Sequence, residues 1–136
     1  FQIWFDPDIS KTLNKPATYD DYKQKDFPVI LSDKMKTTII KGDKSLFEMD
    51  SEGVEIKEYD FDKGVFNLEL DDKSIYSFFL INGSISIEND KALKGAFVKI
   101  QDRKQVSFDV FEKSQVFEVK TPKLITYSTY FERFIN

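Results

Sequence analysis

The sequence has neither cysteine nor histidine in its 136 residues. The first absence excludes disulfides, thiolate nucleophiles, zinc ribbons and iron–sulfur clusters. The second excludes Ser-His triads, imidazole bases and His-ligated metals. Any chemistry carried by this chain must come from Asp, Glu, Lys, Tyr, Ser or Thr, or from a bound cofactor. Glycine is also scarce, and Gly42, Gly53, Gly64, Gly83 and Gly95 lie too far apart to build a phosphate-cradling loop. Among 20 cations only Arg103 and Arg133 are arginine, which leaves little bidentate phosphate recognition. The net charge is -4, whereas a nucleic-acid surface needs clustered positive charge. Apolar runs such as Phe78-Phe79-Leu80-Ile81 stay far below membrane-spanning length. Neither nucleic acid nor a membrane is an expected partner.

What remains is the composition of one folded domain, with 40% hydrophobic and 32% charged residues. The chain begins at Phe1 and shows no basic region followed by an apolar stretch. We therefore expect a fragment of a cytoplasmic protein. Fourteen Phe, six Tyr and one Trp favour pleated, half-buried surfaces and raise the expectation of strands over helices.

Alternation with a period of two recurs along the chain. Phe66, Leu68 and Leu70 share one face against Asn67 and Glu69, and Ile85 with Ile87 repeats the pattern. Val106–Val110 and Val116–Lys120 alternate less strictly. Val54 and Ile56 are followed by Tyr59 and Phe61 on the other parity, which predicts a bulge or a bend. Turn signals separate the runs at Lys41–Lys44, Asp50–Gly53, Asp62–Gly64, Asp71–Ser74, Lys94-Gly95 and Glu112–Ser114. Asn82-Gly83 is the strongest hairpin dipeptide. Strands at intervals of about 8–12 residues predict an all-β sandwich or barrel. Short helical turns are expected near Tyr19–Lys25 and Thr129–Phe134. Gln2–Phe5 reads as a strand, followed by an extended polar connector from Ser10 to Asp26.

The candidate sites are thin. Asp60-Phe61-Asp62-Lys63-Gly64 has the carboxylate spacing that opens a calcium loop, but Gly64 stands where a third oxygen ligand is needed. A solvated turn explains it, as it explains Asp6-Pro7-Asp8 and Asp71-Asp72. Asn82-Gly83-Ser84 fits a glycosylation acceptor, yet a turn followed by a strand accounts for it. Tyr19, Tyr22, Tyr127 and Tyr130 read as amphipathic strand and connector residues. No catalytic, cofactor-binding or metal-ligating residue is assigned.

Two groups of residues resemble the pirin family of two-cupin proteins. Phe1-Gln2-Ile3-Trp4-Phe5 and Pro16-Ala17-Thr18-Tyr19 are similar to the strand and Pro-x-Tyr that lead from the first cupin to the second. The stretch Ile56 to Thr121 resembles the second cupin, through Tyr59-Asp60-Phe61, Phe66–Leu70, Tyr76–Ile87, Leu93–Val98 and Val116–Pro122. The resemblance implies a cupin-type double-stranded β-helix, or jelly-roll sandwich, with an extended N-terminal connector. Residues 1–30 would be the inter-cupin strand and connector, and residues 31–136 the C-terminal cupin-like barrel.

In such proteins a divalent metal such as iron sits in the first cupin, on three histidines and a glutamate, and some bacterial members cleave quercetin there. Where a metal-binding cupin would place its first histidines, this chain has Ser74 and Tyr76; near the last it has Gln105 and Ser107. No cofactor is therefore expected in this chain. Phe66, Phe78, Phe79, Phe97, Phe108 and Phe117 are expected to plug the barrel, each contributing about 1.5–3 kcal/mol. The leading expectation is a non-catalytic structural or interaction domain whose partner is the metal-bearing N-terminal half, with self-association through the face that half would cover. The alternatives are a barrel binding a small flat aromatic ligand, part of a quercetin dioxygenase-like enzyme, and an enzyme in its own right working through carboxylates or a metal held by Asp and Glu.

Overall fold

The structure, a computed structural model, describes residues 2–134. Its frame is a run of strands: β1 (Val29–Ser32), β2 (Met35–Lys41), β3 (Glu55–Phe61), β4 (Gly64–Glu69) and β5 (Ser74–Asn82) come first. β6 (Ser84–Ile87), β7 (Asp90–Leu93), β8 (Phe97–Gln101), β9 (Gln105–Val110) and β10 (Ser114–Pro122) follow. All pairings are antiparallel. They build a six-stranded sheet in the order β1-β2-β3-β10-β5-β8 and a four-stranded sheet in the order β4-β9-β6-β7. After β3 the chain crosses between the sheets at every connection except β6–β7. This is the all-β sandwich expected from the alternation, in the jelly-roll form that the resemblance implies. No helix among the described residues is long and apolar enough to cross a membrane.

The core lies between the sheets. Tyr59, Phe61, Tyr76, Phe78, Leu80 and Val116 enter it from the large sheet, and Ile85, Ile87, Val106, Phe108 and Val110 from the small one. Phe61 is its hub, with ring centroids 4.7 Å from Phe66, 5.6 Å from Phe108 and 5.6 Å from Tyr59. Phe78 meets Phe108 edge-on at 5.2 Å. Tilted and edge-on pairs at such distances add about 0.5–1.5 kcal/mol each beyond their burial.

Three of the six phenylalanines expected in the barrel do not fill it. Phe78 and Phe108 are fully buried and Phe66 packs against the core. Phe79 and Phe117, however, pair across β5 and β10 on the outer face of the large sheet, and Phe97 continues that row on β8 at 64% exposure. The cause is parity. Residues next to each other in a strand point to opposite faces, so Phe78 and Phe79 cannot both enter the core.

Three other expectations are corrected. The Asn82-Gly83 dipeptide is not a hairpin, because β5 and β6 belong to different sheets. Gly83, at φ +101, is the corner where the chain leaves one sheet for the other. The slip around Ile56 does not break β3; the extra residue is on β2, where pairing jumps from Ile39↔Lys57 to Lys41↔Ile56. Gln2–Phe5 form no strand, and Phe1 lies outside the described residues. This segment is drawn instead to the C-terminal tail, where the Tyr127 hydroxyl donates to the Asp6 carbonyl at 3.1 Å and the Tyr130 N–H to the Asp6 carboxylate at 2.9 Å.

The connector contains one short helix that the sequence did not announce, α1 (Ile9–Thr12), capped by Asp8, which accepts from the Ser10 N–H at 3.0 Å. Of the turn expected near Tyr19–Lys25 only a 3-10 turn at Gln24–Asp26 forms, whereas the one expected at Thr129–Phe134 is present as a 3-10 turn at Phe131–Phe134.

Candidate functional site

One end of the space between the sheets is closed by aromatic rings, and the other is polar. Along the inward face of β3 the residues run Phe61, Tyr59, Lys57, Glu55; along β10 they run Ser114, Val116, Glu118, Lys120; along β5, Leu80, Phe78, Tyr76, Ser74. On β3 and β10 the lining changes from apolar to charged within a single face, so the charges converge at one mouth of the barrel.

Lys120 joins the groups there. Its ammonium donates to Glu55 Oε1 at 2.8 Å and lies 3.0 Å from Asp71 Oδ2. Lys57 Nζ holds the other Glu55 oxygen at 3.2 Å. Asp71, on the β4–β5 connection, also accepts from the Ser74 hydroxyl at 2.9 Å and the Tyr76 hydroxyl at 3.2 Å. Burial works against the charge of all three principal members and is outweighed. Asp71 is lowered to about 2, chiefly by Lys120 and then Ser74, against the burial that would raise it. Glu55 is lowered by Lys120 and Lys57 in spite of its burial. Lys120 is raised by its bonds to Glu55 and Asp71, although burial pulls it down.

Behind Lys120 lies Glu118, at 2% exposure the deepest ionisable group of this mouth. Tyr59 donates to its Oε2 at 2.8 Å, while its Oε1 has no hydrogen-bond partner among the described residues. Burial raises Glu118 above the ordinary glutamate range, and burial with the Glu118 charge raises Tyr59 strongly. Outside the ring is a cleft of about 860 Å³ lined by Glu55, Asp71, Ser74, Lys120, Pro122 and Leu124 among others.

Chemically, the arrangement is a set of paired ions above one buried carboxyl. Lys120 is held protonated and Tyr59 keeps its proton, so neither is a nucleophile near neutral pH. The donor set does not fit a metal. Glu55 and Asp71 already bind an ammonium, Glu118 is biased toward its neutral form, and the described residues hold no metal-competent group of three or more His, Cys, Asp or Glu.

Of the positions where a metal-binding cupin would place its histidines, Ser74 and Tyr76 face the mouth. Gln105 and Ser107 face outward, and Val106, fully buried, takes the inward position between them. Asp60 is an outward residue of β3 bonded to Lys36 at 2.5 Å, and Asp62-Lys63 is the turn into β4, so no loop gathers around a cation. None of Glu55, Lys57, Tyr59, Asp71, Glu118 and Lys120 was assigned a role from sequence. A signal did exist: Glu118 and Lys120 share the parity of the buried Val116, a parity on which charged residues are unusual.

Set against known proteins, this two-sheet barrel, its mouth crossed by the Lys120 ion pairs, has a cupin-type fold. Neither a family model nor any curated protein sequence matches the chain. Among solved structures, quercetin 2,3-dioxygenase from Acinetobacter baumannii superposes with a TM-score of 0.72 at 14% identity, over 85% of this chain and 42% of that one. Pirin YhhW from Escherichia coli, in complex with nickel(II), gives 0.54 at 18% identity, over 60% of this chain and 35% of that one. KdgF from Halomonas sp. gives 0.59 at 11% identity, over 79% of this chain and 96% of that one. The chain thus spans about two fifths of the quercetin dioxygenase and nearly the whole of KdgF.

Proposed function

We propose that residues 1–136 are the histidine-free, C-terminal half of a two-cupin cytoplasmic protein of the pirin type, with a structural and docking role beside a metal-bearing N-terminal half. One observation carries the reading. The mouth where a cupin-type barrel would receive a ligand is cross-linked by Lys120 to Glu55 and Asp71, and the space beneath is filled by Phe61, Phe66, Phe78 and Phe108. A barrel stitched and filled in this way is suited to bearing load rather than turning over a substrate. The share of the quercetin dioxygenase and the pirin left unspanned, large enough for a second domain, is in keeping with it.

The test is on the longer protein. Its coding sequence upstream of Phe1 should specify a cupin with a His-x-His pattern, and the full chain should bind one divalent metal. Residues 1–136 alone should bind none and leave quercetin intact. Stoichiometric transition metal retained by residues 1–136 after dialysis would overturn the proposal.

A second reading, a small-molecule binding barrel, draws on the cleft outside Lys120, where Pro122 and Leu124 add apolar walls to the charges. A thermal-shift screen with flavonols separates the two, since only a binder gains stability with ligand.

A further inference from the structure

β1 is the outer strand of the six-stranded sheet, and Val29, Ile30 and Leu31 are 48%, 57% and 76% exposed. Its hydrogen-bonding phase is fixed by one bond: the Ile39 N–H donates to the Pro28 carbonyl at 2.9 Å. Antiparallel bonding alternates residue by residue. In the register Val29↔Thr38 to Ser32↔Met35, Pro28, Ile30 and Ser32 therefore turn their backbone groups toward β2. Val29 and Leu31 turn theirs to the open edge, where no described strand meets them.

Native sheets guard such edges with a lysine, a proline or a bulge within the strand. Val29-Ile30-Leu31-Ser32 has none of these; the charges stand just outside it, Lys25 and Asp26 before, Asp33 and Lys34 after. The strand is complementary to itself. Two copies set antiparallel about a two-fold axis at Ile30 place Val29 opposite Leu31 of the second copy, so the two edge-facing residues meet. Ile30 then lies against Ile30 of the second copy. Asp26 and Lys34 are equally far from Ile30, so each Asp26 comes to the Lys34 end of the other strand.

We propose that β1 pairs with β1 of a second copy of this chain, joining two large sheets into one across a two-fold axis. Each Val29–Leu31 pair exchanges both of its N–H···O bonds, and symmetry supplies the second pair. A four-residue strand makes a contact below about 1,200 Å² in total, so the dimer depends on concentration. The inference uses residues 1–136 alone and stands or falls apart from the two-cupin reading.

Sedimentation velocity from about 10 μM to about 1 mM reads the equilibrium. The chain should pass from monomer to dimer. Ile30→Lys and Ile30→Glu should each raise the dissociation constant about tenfold or more, because like charges then face each other across the axis. An equimolar mixture of the two should dimerise again, since only there does each charge meet its opposite. In residue-resolved amide exchange, Val29 and Leu31 should gain protection with concentration while Ile30 and Ser32 do not. A monomer throughout the range, a dimer untouched by both substitutions, or unchanged exchange at Val29 and Leu31 each overturns the proposal.

Discussion

Gly83 should be the least replaceable glycine in the chain, and Gly83→Ala measures why. At φ +101 its backbone is in the region that L side chains rarely adopt, a strain of about 1–3 kcal/mol for alanine. A Cβ there would also fall 2.6 Å from Ser114 Cβ and 2.7 Å from Ser114 Cα. The second contact is backbone at the start of β10, so the corner between β5 and β6 must move away from β10. Overpacking of that kind costs about 1–3 kcal/mol more. Together these give about 2–6 kcal/mol, a large fraction of the roughly 5–15 kcal/mol that holds a domain folded. For a chain of this size, at about 3–5 °C per kcal/mol, the midpoint should fall by about 6–30 °C. Gly95 is the internal control: its φ is +88, yet nothing lies within 4 Å of a Cβ built there. Gly95→Ala should cost only strain, about 1–2 kcal/mol. Urea unfolding followed by circular dichroism compares the two directly. Adding Ser114→Gly to Gly83→Ala removes the side-chain clash and leaves the backbone one, so it should restore part of the loss and not all. If Gly83→Ala and Gly95→Ala cost the same within about 0.5 kcal/mol, the close approach to Ser114 is not what makes Gly83 necessary.

Three other outcomes follow from the same structure. Phe108→Ala should cost about 3–5 kcal/mol and Phe97→Ala less than about 0.5 kcal/mol, by urea denaturation; equal losses would mean that the faces of the sheets are wrongly assigned. Asp71 is lowered to about 2, so the stability it contributes is complete above its ordinary value of 3.8 and is lost as the pH falls through about 2. In Lys120→Met its carboxyl titration by NMR should move up from about 2, since burial then meets only the Ser74 and Lys73 hydrogen bonds. Glu118 is shifted the other way: its stability is full below the ordinary value of 4.5 and is lost as the pH rises through its raised value. Measured against Glu118→Gln, the native chain should therefore lose ground as the pH rises above 4.5, and a constant difference would show Glu118 to be unshifted.

The frame of the fold is legible in the alternation of Phe66–Leu70, Ser84–Ile87 and Val106–Val110, because a half-buried strand cannot hide its period. What that period does not reveal is which of two adjacent aromatics enters the core. Phe78 and Phe79 are chemically the same, and only the pairing of β5 with β10 and β8 decides between them. Asn82-Gly83 misleads for a related reason: a turn dipeptide reports local backbone geometry, not whether the strands beside it share a sheet. The mouth was hidden because a charged residue in an alternating strand reads as solvent-facing. Glu55, Lys57, Glu118 and Lys120 break that rule together, and only after β3 and β10 are side by side does Lys120 meet Glu55 and Glu118 meet Tyr59.

The placing of β10 has a consequence for how the molecule is made. It is the last of the described strands in chain order and the one that lies between β3 and β5, pairing Ser114 with Phe61 on one side and Pro122 with Ser74 on the other. Until it arrives, the large sheet exists as two pieces, β1-β2-β3 and β5-β8, each with a raw inner edge. The two pieces of the large sheet must wait for β10 before they join, and the rate of that step is set by the closure of long loops. A nascent chain stalled before Ser114 would display those two edges together, a state in which a chaperone and an aggregate compete for the same surface.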